Sequence, residues 1–131
     1  MSHGYDPSWK WTDYHHAIAN GSLMEDIDLF DQDTAVGSID QPDVQGITPL
    51  HLACLSGNVE YVNILLERGA VTNTMDCKYW STPLITAVRH NYIEIVRLLL
   101  DKGFRNIDHV DIFGLKARDY ASEEMLSCVD L

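Results

Sequence analysis

The chain has 131 residues, enough for one domain, and 46% of them are hydrophobic. Its formal net charge of −11 argues against a nucleic-acid partner, because binding a phosphate backbone takes clustered cations. No stretch is long and apolar enough to span a bilayer, and Met1-Ser2-His3-Gly4-Tyr5-Asp6 has neither the basic nor the apolar region of a secretory signal, so no membrane partner is expected. The charge is one-sided. Residues 1–67 hold Lys10 as their one Lys or Arg against eleven acids, whereas residues 68–131 hold eight cations and nine acids. Such an asymmetry steers a basic partner towards the acidic half, or else keeps an exposed end soluble. Cys54, Cys77 and Cys128 are odd in number and read as free thiols of a reducing, cytoplasmic compartment.

In chain order, the first segment, Thr12-Asp13-Tyr14-His15-His16-Ala17-Ile18-Ala19-Asn20-Gly21, reads as a short helix. A second helix follows over Leu23, Ile27, Leu29 and Phe30, made acidic by Glu25, Asp26, Asp28 and Asp31. Thr48 is a good N-cap and Pro49 fits the first helical position, where a missing N–H costs nothing. Leu50 and Ala53 mark an apolar stripe, Gly57 stops the helix, and Val62, Leu65 and Leu66 give the next one its buried face before Gly69. The pattern returns 34 residues after Thr48, in Thr82-Pro83-Leu84-Ile85-Thr86-Ala87. Asn91 takes the place of Gly57, and Val96, Leu99 and Leu100 precede the stop at Gly103. Asp111-Ile112-Phe113-Gly114-Leu115 then opens a last copy in which only Glu123 to Cys128 remains for a final helix.

The copies beginning at Thr48-Pro49-Leu50-His51-Leu52-Ala53 and at Thr82-Pro83-Leu84 resemble the ankyrin repeat, whose period is about 33 residues and whose signature is T-P-L-H-x-A. The resemblance implies an all-α solenoid of helix-turn-helix repeats with β-hairpin-like loop fingers. Two full repeats, about 43–75 and 76–108, lie between capping repeats at about 9–42 and 109–128. The pattern departs from the family in places. The Asp76 to Thr82 loop is one residue longer than D-x-x-G-x-T, with Tyr79-Trp80-Ser81 in place of its glycine, and Ile85 replaces the usual histidine.

Ankyrin stacks bind proteins through a concave surface made by the fingers and the exposed edges of the first helices. The matching positions are Trp11 in the first repeat and Gln45, Ile47 and Leu55 in the second. They are Lys78, Tyr79, Trp80, Arg89 and His90 in the third, and Ile112 and Phe113 in the last. Trp, Tyr and Arg are the types enriched in binding hot spots. The acids Glu25, Asp26, Asp28, Asp31, Asp33, Asp40 and Asp43 are expected to steer encounter. His15 and His51 take the T-P-L-H histidine position, where the family implies bonds to loop backbone that stitch repeats together. His15 and His16 diverge by about 100° on a helix and do not chelate jointly, and no catalytic motif occurs. No metal, cofactor or enzymatic activity is expected. The expected function is binding, and inhibition, of a basic protein partner such as a toxin or effector enzyme, as immunity proteins do, by a chain that is a monomer on its own. The alternatives are a passive scaffold or adaptor joining two proteins, and an enzyme.

Overall fold

The computed structural model describes residues 11–32, 38–102 and 106–131. Among them the helices are α1 (Asp13–Asn20), α2 (Leu23–Gln32), α3 (Pro49–Ser56), α4 (Val59–Glu67), α5 (Pro83–Arg89), α6 (Ile93–Asp101), α7 (Ala117–Tyr120) and α8 (Glu123–Cys128), and no strand forms.

Local chemistry sets the helix ends. Thr48 is extended at φ −82°, and its hydroxyl accepts from His51 N at 3.3 Å; Thr82 does the same for Ile85 N at 3.2 Å. Pro49 and Pro83 start α3 and α5 at the positions where no intrahelical N–H is needed. The chain leaves α3 through Gly57 at φ 72°, and a Cβ there would sit 2.7 Å from Tyr92 Cζ, so both backbone and space demand glycine. Asn91 takes the equivalent left-handed position after α5 at φ 58°. Gly103 lies outside the described residues.

The helices stack in two rows. α1, α3, α5 and α7 touch in succession along one row, and α2, α4 and α6 along the other. The core lies between the rows as a thin layer. Leu50, Ala53, Leu84 and Ala87 enter it from the first row, and Val62, Leu65, Ile95, Val96 and Leu99 from the second. Burying each leucine stabilises the stack by about 1.5–3 kcal/mol. At the first end Tyr14 meets Phe30 edge-on, with ring centroids 5.1 Å apart. Ala117 and Met125 close the other end. Leu29 turns outward and is 63% exposed.

One polar device shapes the loop before each of α3, α5 and α7. An aspartate turns its carboxylate inward and collects the backbone N–H groups of its own loop. Asp43 Oδ1 accepts from Gln45 N at 2.8 Å and Ile47 N at 2.9 Å. Asp111 Oδ1 accepts from Phe113 N at 2.9 Å and Leu115 N at 3.1 Å. Asp76 Oδ1 accepts from Tyr79 N at 2.7 Å and Ser81 N at 3.4 Å, one residue further on, which accommodates the inserted residue. All three aspartates are buried. These loops are the fingers, and they are joined side to side: Cys77 N donates to Gln45 O at 2.7 Å, and Ile112 N donates to Tyr79 O at 2.8 Å.

Candidate protein-binding surface

The second finger departs from its neighbours at its tip. Gly46 and Gly114 turn the first and third fingers at φ 79° and 77°, and Trp80 makes the same turn at φ 56°. A left-handed backbone costs a residue with a Cβ about 1–2 kcal/mol, and such strain concentrates at functional positions. The conformation is held from outside, because His109 Nε2 donates to Trp80 O at 2.7 Å. The turn leaves Trp80 50% exposed. Ile112 and Phe113 of the third finger are also exposed, at 49% and 61%.

Behind these tips Tyr79 anchors a stack. Its ring lies 5.9 Å from that of Phe113. The Lys78 ammonium is 5.0 Å from the Tyr79 centroid and the Arg89 guanidinium 5.5 Å. Arg89 also lies over Tyr120, 5.3 Å from that centroid. The Tyr120 hydroxyl in turn donates to Asp111 Oδ2. Burial raises the Tyr120 pKa, and the bond to Asp111 raises it further. Burial works against ionised Asp111, but hydrogen bonds from Tyr120, Leu115 and Phe113 and the charge of Arg89 prevail and hold its pKa low. The Arg89 guanidinium is thus set by two rings and a buried carboxylate.

Between the fingers and the first-row helices lies a pocket of about 270 Å³. Gln45, Ile47, Leu55, Lys78, Tyr79, Arg89 and His90, seven of the positions expected to make contact, line it together. Asp76, Ser81 and Thr86 complete the lining. His90 is fixed by a bond from its Nδ1 to Thr86 O at 2.9 Å and by stacking on Tyr92 at 5.5 Å. Sequence reading missed Ser81, Thr86, His109 and Tyr120. Tyr120 stands nine residues beyond Asp111, and nothing within one repeat's motif signals that the two meet.

Trp11 and the acids expected to steer encounter are not part of this lining. Trp11 packs against the first cap: its Nε1 donates to Asp43 Oδ2 at 3.0 Å, and its ring lies 5.9 Å from His15 and 5.3 Å from His16. Ile47 is only 8% exposed, so it forms a pocket wall with little free surface. Asp43 is buried as the lock of its finger and presents no free charge for steering. Asp40 accepts from Val71 N at 2.8 Å, and Asp28 pairs with Arg68 at 2.7 Å while staying largely exposed. Glu25 and Asp26 sit with Asp28 on α2, in the second row, and not beside the pocket. Asp33 and the side chain of Asp31 lie outside the described residues.

The two stitching histidines differ. His15 Nδ1 accepts from Thr12 N at 3.1 Å, which leaves Nε2–H to donate to Ile47 O at 2.7 Å, a bond to loop backbone. His51 instead bonds the Thr86 hydroxyl at 2.8 Å, and its Nδ1 has no partner. Burial lowers the pKa of both rings. Cys54 is buried and its thiol pKa raised, whereas Cys77 and Cys128 are exposed; none of the three is in a disulfide. Among the described residues no group of three or more His, Cys, Asp or Glu could hold a metal ion, and no helix is long and apolar enough to cross a membrane.

Comparison with known proteins agrees with this geometry. The model of the family "Ankyrin repeats (3 copies)" matches residues 14–111. Alpha-latrotoxin-Lg1a of Latrodectus geometricus is 31% identical over 112 residues, covering 84% of this chain and 8% of the toxin. The B-cell lymphoma 3 protein homolog of Mus musculus is 43% identical over 77 residues, 57% of this chain and 17% of that protein. Ankyrin repeat and SOCS box protein 5 of Bos taurus is 45% identical over 56 residues, 43% of this chain and 16% of that protein. The chain thus spans less than a fifth of each of these relatives. With inward-locked aspartate fingers, Thr-Pro helix starts and two stacked helix rows in place, the chain belongs to the ankyrin-repeat family, whose repeats mark a protein–protein interaction module.

Proposed function

We propose that this module binds its protein partner through the finger side, centred on Trp80, Tyr79, Arg89 and Phe113. One observation carries the reading: the strained, half-exposed Trp80 follows Tyr79, whose carbonyl is bonded to Ile112 N and whose ring meets exposed Phe113, at a pocket lined by the preset Arg89. Large aromatics and an oriented arginine are the groups that dominate interface energies when desolvated. Trp80→Ala and Phe113→Ala should each raise the partner's dissociation rate, by about 2–4 kcal/mol for the tryptophan. The test is affinity purification followed by binding kinetics, with melting temperature as the folding control. Equal recovery and equal kinetics for wild type and both folded variants would place the contact elsewhere.

A second reading has the chain inhibit a basic protein, such as a toxin or effector enzyme. It is favoured by the separation of charge: Glu25, Asp26 and Asp28 share α2 in the second helix row, away from the cations of the finger side. Neutralising these three should slow association, with an effect that shrinks in salt. If both sets of substitutions matter, each for a different protein, the chain joins two partners and the adaptor reading holds.

A further inference from the structure

We propose that the pocket beneath Tyr79 takes a carboxylate side chain, Asp or Glu, from an acidic segment of the protein partner. This rests on the finger-side reading and assigns the chemistry of its centre. It also runs against the net charge of the chain, which taken alone points to a basic partner.

The charges that reach the surface set the chemistry of the pocket. The aspartates of the three fingers, Asp43, Asp76 and Asp111, are buried with their Oδ1 atoms on backbone N–H groups. The charged residues exposed at the pocket are Lys78 and Arg89, with His90 beside them. Asp76 lines the same space, but it is 8% exposed and its Oδ1 is committed to Tyr79 N and Ser81 N. Its Oδ2 lies 3.8 Å from buried His51 Nε2, so the exposed charge at the pocket is that of the two cations.

Both cations are oriented before any partner arrives. The Lys78 ammonium and Arg89 guanidinium lie 5.0 and 5.5 Å from the centroid of one ring, Tyr79, and Arg89 also lies over Tyr120 at 5.3 Å. Preset donors lose little freedom on binding, and a guanidinium fork matches a carboxylate. Ser81 is 1% exposed and its hydroxyl is buried without a hydrogen-bond partner, so the hydroxyl sits behind the lining and out of direct reach of an entering group.

Size and walls define the rest. At about 270 Å³ the space falls just below the roughly 300–1,000 Å³ of small-molecule sites and suits a side chain. Leu55 and Ile47 give it an apolar wall, and Phe113 and Trp80 lie exposed on the neighbouring fingers. The partner segment should pair its acid with an apolar or aromatic neighbour.

The test screens a displayed library of random peptides against the full chain, then measures selected peptides by fluorescence anisotropy. Expected are sequences enriched in Asp or Glu beside an apolar residue. Their binding should weaken about tenfold or more in Arg89→Gln and in Lys78→Gln, both exposed positions, and also when the peptide acid becomes an amide. Glu124→Gln, an exposed acid on α8 outside the pocket, should leave it unchanged. Enrichment of Lys or Arg, absence of acidic enrichment, or acidic peptides indifferent to both substitutions would overturn the proposal. Selected peptides that depend on Trp80 but not on Arg89 or Lys78 would overturn the pocket chemistry and keep the finger-side reading. Peptides that depend on Glu25, Asp26 and Asp28 alone would overturn both.

Discussion

Acid should weaken this fold through His51. The ring is 0% exposed, Nε2 is 2.8 Å from Thr86 Oγ1, and Nδ1 has no partner. Burial pulls its pKa from 6.5 down to about 4, against the opposing charges of Asp76, 3.8 Å away, and Asp43. His51 is therefore neutral in the folded chain, whereas in the unfolded chain it takes up a proton near its ordinary value. The folded state binds fewer protons between these values, so its stability is undiminished above pH 6.5 and is lost as the pH falls towards 4. At about 1.4 kcal/mol per unit, a shift of that size corresponds to about 3 kcal/mol over the whole window and about 2 kcal/mol by pH 5. Urea unfolding at about pH 7.5 and about pH 5 measures it, with His51→Gln as the reference that removes the titrating ring. Groups remote from His51 titrate in both proteins alike and cancel in the comparison. The wild-type stability advantage over His51→Gln should shrink by about 2 kcal/mol across that interval. A gap that stays constant would mean that His51 is not held neutral between the repeats, and the reasoning would fail.

Three further outcomes are expected. Leu99→Asp should unfold the chain by circular dichroism, because it would place an unpaired charge in the buried layer at several kcal/mol; a folded variant with unchanged melting would refute the repeat frame. Gly57→Ala should destabilise more than Gly69→Ala, since both sit at positive φ but only Gly57 faces an obstacle, Tyr92, at 2.7 Å; equal melting temperatures would contradict this packing. A thiol reagent should label Cys77 and Cys128 in the native protein and Cys54 only in denaturant, because Cys54 is buried and its thiol pKa raised; fast native labelling of all three would show the layer between the rows to be open.

The helices were legible in the sequence because their signals are local. Thr48-Pro49 and Thr82-Pro83 state the helix starts within two residues, and Gly57 and Asn91 state the left-handed exits. Stacking was legible through repetition, since an apolar stripe that recurs must be covered by its copy. The surface was less legible. That Asp43 is a loop lock, and not a free charge, follows from bonds two and four residues ahead, and a charge count ignores direction. The partner of Trp11 lies 32 residues away and that of His51 lies 35 away, so a frame read one repeat at a time cannot pair them. The inserted residue at Asp76 to Thr82 was visible, but its effect, a tryptophan turned left-handed, appears only once the neighbouring Asp locks show where the turn must fall.

The aspartate locks divide labour within each finger. Shape is set by the carboxylate and the backbone it gathers, with glycine or Trp80 at the turn. The residues between, Val44-Gln45, Cys77-Lys78-Tyr79 and Ile112-Phe113, contribute their N–H and C=O groups to this shape, whatever side chains they bear. Their side chains are left free to vary. A finger can therefore exchange its recognition letters without rewriting its grammar, and the backbone bonds between neighbouring fingers outlast such exchanges, although Tyr79 and Phe113 also meet through their rings. New specificity in such a chain is reachable by single substitutions that leave folding almost untouched.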